Sequence, residues 1–351
     1  MSKKNNLSKA SKYIKVTSLV SFILLGSILF FAGCKKKVTD DRLIVGWQTA
    51  WATAGQVMET LIHTNITDLH ESNATFRDFL FGPDMLEAGL GGNIDATSLG
   101  IVPIINLLAT NDDWIVVCRM IDFPVNTMAR YGSQINTFSD IKGKKLGVPF
   151  GSGGHPYIVL RMEENNLIAG ENVDLINVSP TEAVVILQQG GIDALGTWEP
   201  TATIIEGKNI GKSIDEKRYP GFITVRKSLV DNYPEKIVAL IKSLMDANLY
   251  VALNREQTDM WFAKRSGFDL DLLKKIRIIE PNLNAKKIED ISIEISSDDI
   301  SVSQQVADHM YESGLIKRSI DFNKHVNLEL AKKATEEIQK SGSFINQIKL
   351  K

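Results

Sequence analysis

Cysteine is almost absent from this chain. Only Cys34 and Cys118 occur among 351 residues, so no intrachain disulfide forms if Cys34 is otherwise engaged. Cys118 ends the apolar β-type run Trp114-Ile115-Val116-Val117-Cys118 and reads as a small buried hydrophobe. Histidine is sparse too. His63, His70, His155, His309 and His325 are the five present, and no two share a metal-ligand spacing such as that of H-E-x-x-H. Charge of one sign is lacking. The chain has 40 basic and 42 acidic residues, a net charge of −2, and no basic stripe, which argues against nucleic acid as a partner. Ser152 lacks the G-x-S-x-G frame of a nucleophile elbow, and no Lys-Ser/Thr follows the glycines around it as in a P-loop. The chain is therefore not expected to be an enzyme, and no cofactor or metal site is read.

One long apolar run is present. Val16 to Gly33 carries no charge, with Lys3, Lys4, Lys9, Lys12 and Lys15 before it and Lys35, Lys36 and Lys37 after Cys34. A charged region, an apolar stretch and small residues before a cleavage point describe a secretory signal peptide. The end, Phe31-Ala32-Gly33-Cys34, resembles the lipobox of bacterial lipoproteins, with Phe31 where Leu is usual. That resemblance implies cleavage before Cys34, lipidation of Cys34, and an extracytoplasmic protein anchored to a membrane. Residues 1–33 are thus expected to be a signal peptide and 34–41 a lipidated tether. A single transmembrane anchor is the alternative, since the run is just long enough to span. Loss of the five leading lysines leaves a net charge of −7.

From Arg42 onward β-type runs alternate with helical patterns, which predicts an α/β fold with largely parallel sheets. Strands are expected at Leu43–Gln48, Thr75–Phe81, Ile94–Ser98, Trp114–Met120, Val125–Tyr131, Lys145–Val148, Val173–Val178, Ile192–Gly196 and Gly221–Lys227. Helices are expected at Glu235–Leu253, Ser303–Ser313 and Leu328–Lys340. A weak repeat runs through the first part. Gly82-Pro83-Asp84 opens a helix that ends at Gly91-Gly92 and leads into Ile94-Asp95-Ala96. Ser179-Pro180-Thr181-Glu182, a capping-box spacing, opens another that ends at Gly190-Gly191 and leads into Ile192-Asp193-Ala194. Upstream, each half has a strand running into a polar or glycine-rich loop and then a helix. The chain reads as two similar α/β units in tandem.

Ligands of open α/β sheets bind outside the carboxyl ends of the strands. Two such units offer four loops to one cleft. Gln48, Thr49 and Trp51 come from the first, with Gly100 and Ile101. Gly151-Ser152-Gly153-Gly154-His155 comes from the second, with Trp198 and Glu199. The glycine loop before a helix start suits an anion, and it fits a plain helix cap equally well. Trp198 serves either as a pocket wall or as core.

Several segments then resemble one family. Phe138-Ser139-Asp140-Ile141-Lys142-Gly143-Lys144-Lys145-Leu146-Gly147-Val148 followed by Gly151-Ser152-Gly153-Gly154-His155 is similar to the type II solute-binding proteins of ABC importers, in their aliphatic sulfonate, taurine and nitrate branch. So are Trp198-Glu199-Pro200, the stretch from Pro220 to Glu235, and Glu312-Ser313-Gly314-Leu315-Ile316. The resemblance implies a two-lobed type II periplasmic-binding-protein clamp. Lobe I would be residues 42–121 and 220–351, lobe II residues 122–219, with a hinge near 121–124 and 219–222. It implies a monomer that captures a small anionic organic solute and delivers it to an ABC permease and its ATPase. The residue after Gly100 departs from the family's polar pattern, and Ile101 there implies a more hydrophobic ligand or a shifted pose. Nitrate, a thiamine-pyrimidine or other heterocyclic precursor, and a tethered sensory role are the alternatives.

Overall fold

The computed structural model describes residues 42–276 and 279–351. The apolar run and Cys34 lie outside the described residues. Eight strands form one mixed sheet, and the longer helices pack against it. In chain order they are β1 (Leu43–Gln48), α1 (Ala54–His63), β2 (Ala74–Phe79), α2 (Gly82–Leu90), β3 (Ala96–Gly100), α3 (Ile101–Thr110) and β4 (Trp114–Arg130). There follow β5 (Lys145–Val148), α4 (Gly154–Glu164), β6 (Asp174–Asn177), α5 (Ala183–Gln188), β7 (Ala194–Trp198), α6 (Thr201–Gly207) and β8 (Gly211–Arg226). Then come α7 (Pro234–Leu253), α8 (Arg255–Ser266), α9 (Ser297–Glu312) and α10 (Leu328–Ser341).

The strand order is β2-β1-β3-β8-β4-β7-β5-β6. β1 pairs in parallel with β2 and β3, and β5 pairs in parallel with β6 and β7. The long strands β4 and β8 pair with each other antiparallel and separate these two parallel trios. The upper part of β8 also pairs with β3, and the later part of β4 with β7. The core is built from these trios and the long strands between them, with Val45, Leu99, Val116, Leu146 and Leu195 all buried. Cys118 is buried in β4, and burial pushes its thiol up to about 12. It is inert at neutral pH.

The tandem repeat has a physical counterpart. The Asp95 N–H donates to the Ile44 carbonyl at 2.8 Å, and its carboxylate accepts from the Ile44 N–H at 3.0 Å. Asp193 does the same to Lys145, at 2.8 and 3.1 Å. The chain end of each long strand meets the same motif. Arg226 N–H donates to the Asp95 carbonyl and Arg130 N–H to the Asp193 carbonyl. Gly92 and Gly190 both take positive φ, 74° and 77°, where a glycine costs least. Pro83 sits in the first turn of α2, where its missing N–H is harmless.

Three expectations need correction. The runs 114–120 and 125–131 are one strand, because Pro124 continues the ladder opposite Arg218 without its N–H. Residues 211–220, too polar to read as a strand, form the first half of β8. The capping box at Ser179 is not made, since α5 begins only at Ala183 with Glu182 as its cap, and the Ser179 hydroxyl meets Thr181 Oγ1 at 2.8 Å.

The C-terminal segment is pinned to β4 by charge. Glu280 takes a double contact from Arg119, with Nη2 to Oε2 at 2.5 Å and Nη1 to Oε1 at 3.2 Å, and accepts from the Asp122 N–H at 2.6 Å. Arg218 of β8 pairs with Asp122. These four residues gather where β4 and β8 pass between the trios. Burial pushes the Glu280 carboxyl up, and Arg119 opposes that shift.

Candidate binding cleft

The carboxyl ends of β1, β3 and β7 and the loop after β5 converge on a narrow cavity of about 20 Å³. That space holds about one water. It is lined by Gln48, Trp51, Gly82, Gly100, Pro103, Phe123, Ser152, Gly153 and Trp198. None of these nine side chains is charged. Three aromatic rings and Pro103 supply apolar wall. Gly82 is the first residue of α2, Gly100 the cap of α3 and Gly153 the cap of α4. The starts of three helices therefore border one small space, where the partial positive charge of a helix N-terminus favours an anion.

Contacts cross the cavity from one trio to the other. Trp198 Nε1–H donates to the Ala50 carbonyl at 2.8 Å. Ala52 N–H donates to the Glu199 carbonyl at 3.4 Å. Trp51 meets Phe123 edge to face, with centroids 5.0 Å apart and planes at 71°. The far edge of the Trp51 indole lies over Gly221 of β8, where an added Cβ would sit 2.5 Å from Cη2. These contacts bridge the cavity, and its volume in this arrangement admits about one water.

Of the residues expected at the cleft, Gln48, Trp51, Gly100, Ser152, Gly153 and Trp198 line the cavity. The others stand around it. Thr49 Oγ1 donates to the Phe79 carbonyl at 3.2 Å. Ile101 is buried at the start of α3, so the apolar character expected from it comes from Pro103 and Phe123 instead. Gly151 N–H donates to His155 Nδ1 at 3.4 Å, and Gly154 N–H to Ser152 Oγ at 3.2 Å. The His155 ring stacks on Phe150, with centroids 4.4 Å apart. Burial pushes the His155 pKa down. Nδ1 is an acceptor, so the neutral ring carries its proton on Nε2. The Glu199 carboxylate accepts from Thr203 N–H at 3.1 Å in the first turn of α6.

The Ser152 hydroxyl spends its one donor inside its own loop. It donates to the Pro149 carbonyl at 2.6 Å and accepts from Gly154. Its role is to shape the turn. Gly82, Pro103 and Phe123 were missed as cavity residues. Phe123 carried a signal, since it lies in the 121–124 crossing segment, but only the pairing of β4 with β8 brings it under Trp51.

Residues 91–265 match the NMT1-like family. A Bacillus subtilis (strain 168) protein named for aliphatic-sulfonate binding is 29% identical over 273 residues, 76% of this chain and 79% of that protein. An Escherichia coli (strain K12) protein of the same description is 24% identical over 73% of this chain and 80% of its own length. Among solved structures, the periplasmic aliphatic sulphonate binding protein SsuA from Escherichia coli superposes with a TM-score of 0.67 at 20% identity, covering 82% of this chain and 92% of that one. That likeness is one of fold.

Proposed function

Since the chain belongs to the NMT1-like family, we propose that it is the extracytoplasmic solute receptor of an ABC importer and captures a small organic anion of the sulfonate class. The carrying observation is the cavity itself, with three helix N-termini, neutral donors and aromatic walls gathered between two parallel trios. A sulfonate offers three acceptor oxygens and an organic tail. The helix starts suit the first, and Trp51, Phe123, Trp198 and Pro103 suit the second. The sulfonate-binding names of its relatives support the same class.

In this reading residues 42–121 and 220–351 make one lobe and residues 122–219 the other. β4 and β8 are the two connections between them and serve as the hinge. The cross-cavity bonds of Trp198 and Ala52 hold the lobes closed, and ligand shifts the open–closed population by its preference for the closed form. Binding in the micromolar range corresponds to about 8 kcal/mol. Lipidated Cys34 and the tether 35–41 keep a monomeric receptor beside its permease.

The test is thermal unfolding of residues 34–351 with taurine, ethanesulfonate, MOPS, nitrate, the matching carboxylates and a pyrimidine precursor. A sulfonate at 100 times its Kd stabilises by about 2.7 kcal/mol. A response confined to the pyrimidine or to nitrate would replace the sulfonate assignment, and no response from any of them would remove the receptor reading. Mass spectrometry of the N-terminal peptide from the membrane fraction tests the anchor, with a diacylglyceryl cysteine expected.

A further inference from the structure

Four side chains on the cavity wall carry a hydrogen-bond donor: Gln48, Trp51, Ser152 and Trp198. Two already have strong acceptors, Ser152 in Pro149 and Trp198 in Ala50. Gln48 Nε2 reaches the Ser98 carbonyl only at 3.5 Å, the outer limit of a bond. Trp51 is different. Its side chain is buried, 3% exposed, and Nε1–H has no acceptor. An indole N–H donates and cannot accept, and a buried donor without a partner is unfavourable. The chain holds it there regardless, wedged between Phe123 of β4 and Gly221 of β8.

We propose that Trp51 is the specificity-determining donor of the cleft: its Nε1–H bonds an oxygen of the ligand's anionic head group. This rests on the anion-receptor reading above. The indole's seat touches both connecting strands, so the same contact fixes the ring against the hinge when ligand is present. Ser152, the hydroxyl that the sequence offers for this task, is occupied by its own loop.

The experiment removes the N–H and keeps the ring. Trp51 is replaced by 3-benzothienylalanine, whose sulfur stands in place of the N–H, with Trp51→Phe as the encoded companion. Calorimetric titration uses MOPS and ethanesulfonate as probes. The thienyl variant is expected to bind about 10- to 100-fold more weakly, the loss of a hydrogen bond to a charged acceptor. Its melting temperature without ligand is expected to equal or exceed that of the parent protein, because an unpaired donor has been removed. Affinity within threefold of the parent overturns the proposal. So does a ligand-free melting temperature lowered by more than about 3 °C, which would mean that the N–H had an acceptor inside the chain. If the parent protein binds neither probe, the sulfonate reading fails on that result, and the ligand-free melting comparison still decides for or against the free donor.

Discussion

Trp198 and Ala50 are 148 residues apart, yet the indole N–H of one donates to the carbonyl of the other at 2.8 Å across the cavity. Trp198 ends β7 in the second unit, and Ala50 follows β1 in the first. The bond exists only when the two units are apposed. Ala52 N–H and the Glu199 carbonyl add a second such bond, so in the proposed receptor closure would depend on hydrogen bonds as well as on ligand.

Trp198→Phe keeps an aromatic wall and removes that bond. A neutral hydrogen bond contributes about 1 kcal/mol net, so affinity for a sulfonate is expected to fall about three- to tenfold. The radius of gyration without ligand is expected to rise in small-angle scattering, while the denaturant midpoint changes little. An unchanged radius and affinity would mean that the bond does not hold the units together.

Gly221 has no room for a side chain, because a Cβ there meets the Trp51 ring at 2.5 Å. Gly221→Ala is expected to destabilise by about 1–3 kcal/mol, as overpacking does. Shortening the ring with Trp51→Phe in the same protein should recover part of that loss. A coupling of about 1 kcal/mol between the two changes, read from urea unfolding in a double-mutant cycle, is the expected result. Strict additivity would place the strain elsewhere.

The buried His155 ring titrates below the ordinary 6.5. Its neutral form accepts the Gly151 N–H, and the protonated form has no lone pair to do so. A depressed folded pKa means that the unfolded chain takes up the proton first as pH falls. The stability that His155 contributes is therefore fully present above pH 6.5 and is lost as pH falls through its folded pKa. In unfolding measurements from pH 8 to pH 5, the advantage of the parent protein over His155→Asn is expected to shrink with falling pH. A constant difference would contradict it.

Asp95 and Asp193 each bracket the start of a parallel strand, with an N–H given and an N–H received. Asp95→Ala and Asp193→Ala are expected to cost about 1–2 kcal/mol apiece. The losses should add in the double variant, since the two motifs sit in different units. Strongly unequal or coupled losses would break the parallel between the units.

These motifs were readable in the sequence because they are local. Helix starts at Pro83, glycine stops at Gly92 and Gly190, and the Ile-Asp-Ala strands each declare themselves within a few residues. What was hidden depends on chain passing between units. Pro124 reads as a break and instead lies within β4. Residues 211–220 look like loop because they are polar, yet β4 gives them a ladder. The Phe123 ring under Trp51 follows from that same pairing. Ser152 was legible as a cleft residue, but its hydroxyl's engagement with Pro149 was not, because that depends on how the loop turns back on itself.

In the proposed receptor an anion is held by N–H groups and helix ends, without a charged side chain on the cavity wall. Buried dipoles are screened by salt far less than exposed charges. Calorimetric titration of ethanesulfonate in 20 mM and then 500 mM sodium chloride tests this directly. Micromolar binding is expected, with a Kd that changes less than about threefold between the two. A Kd that rises tenfold or more with salt, or tighter binding of a cationic or neutral analogue than of the sulfonate, would contradict it.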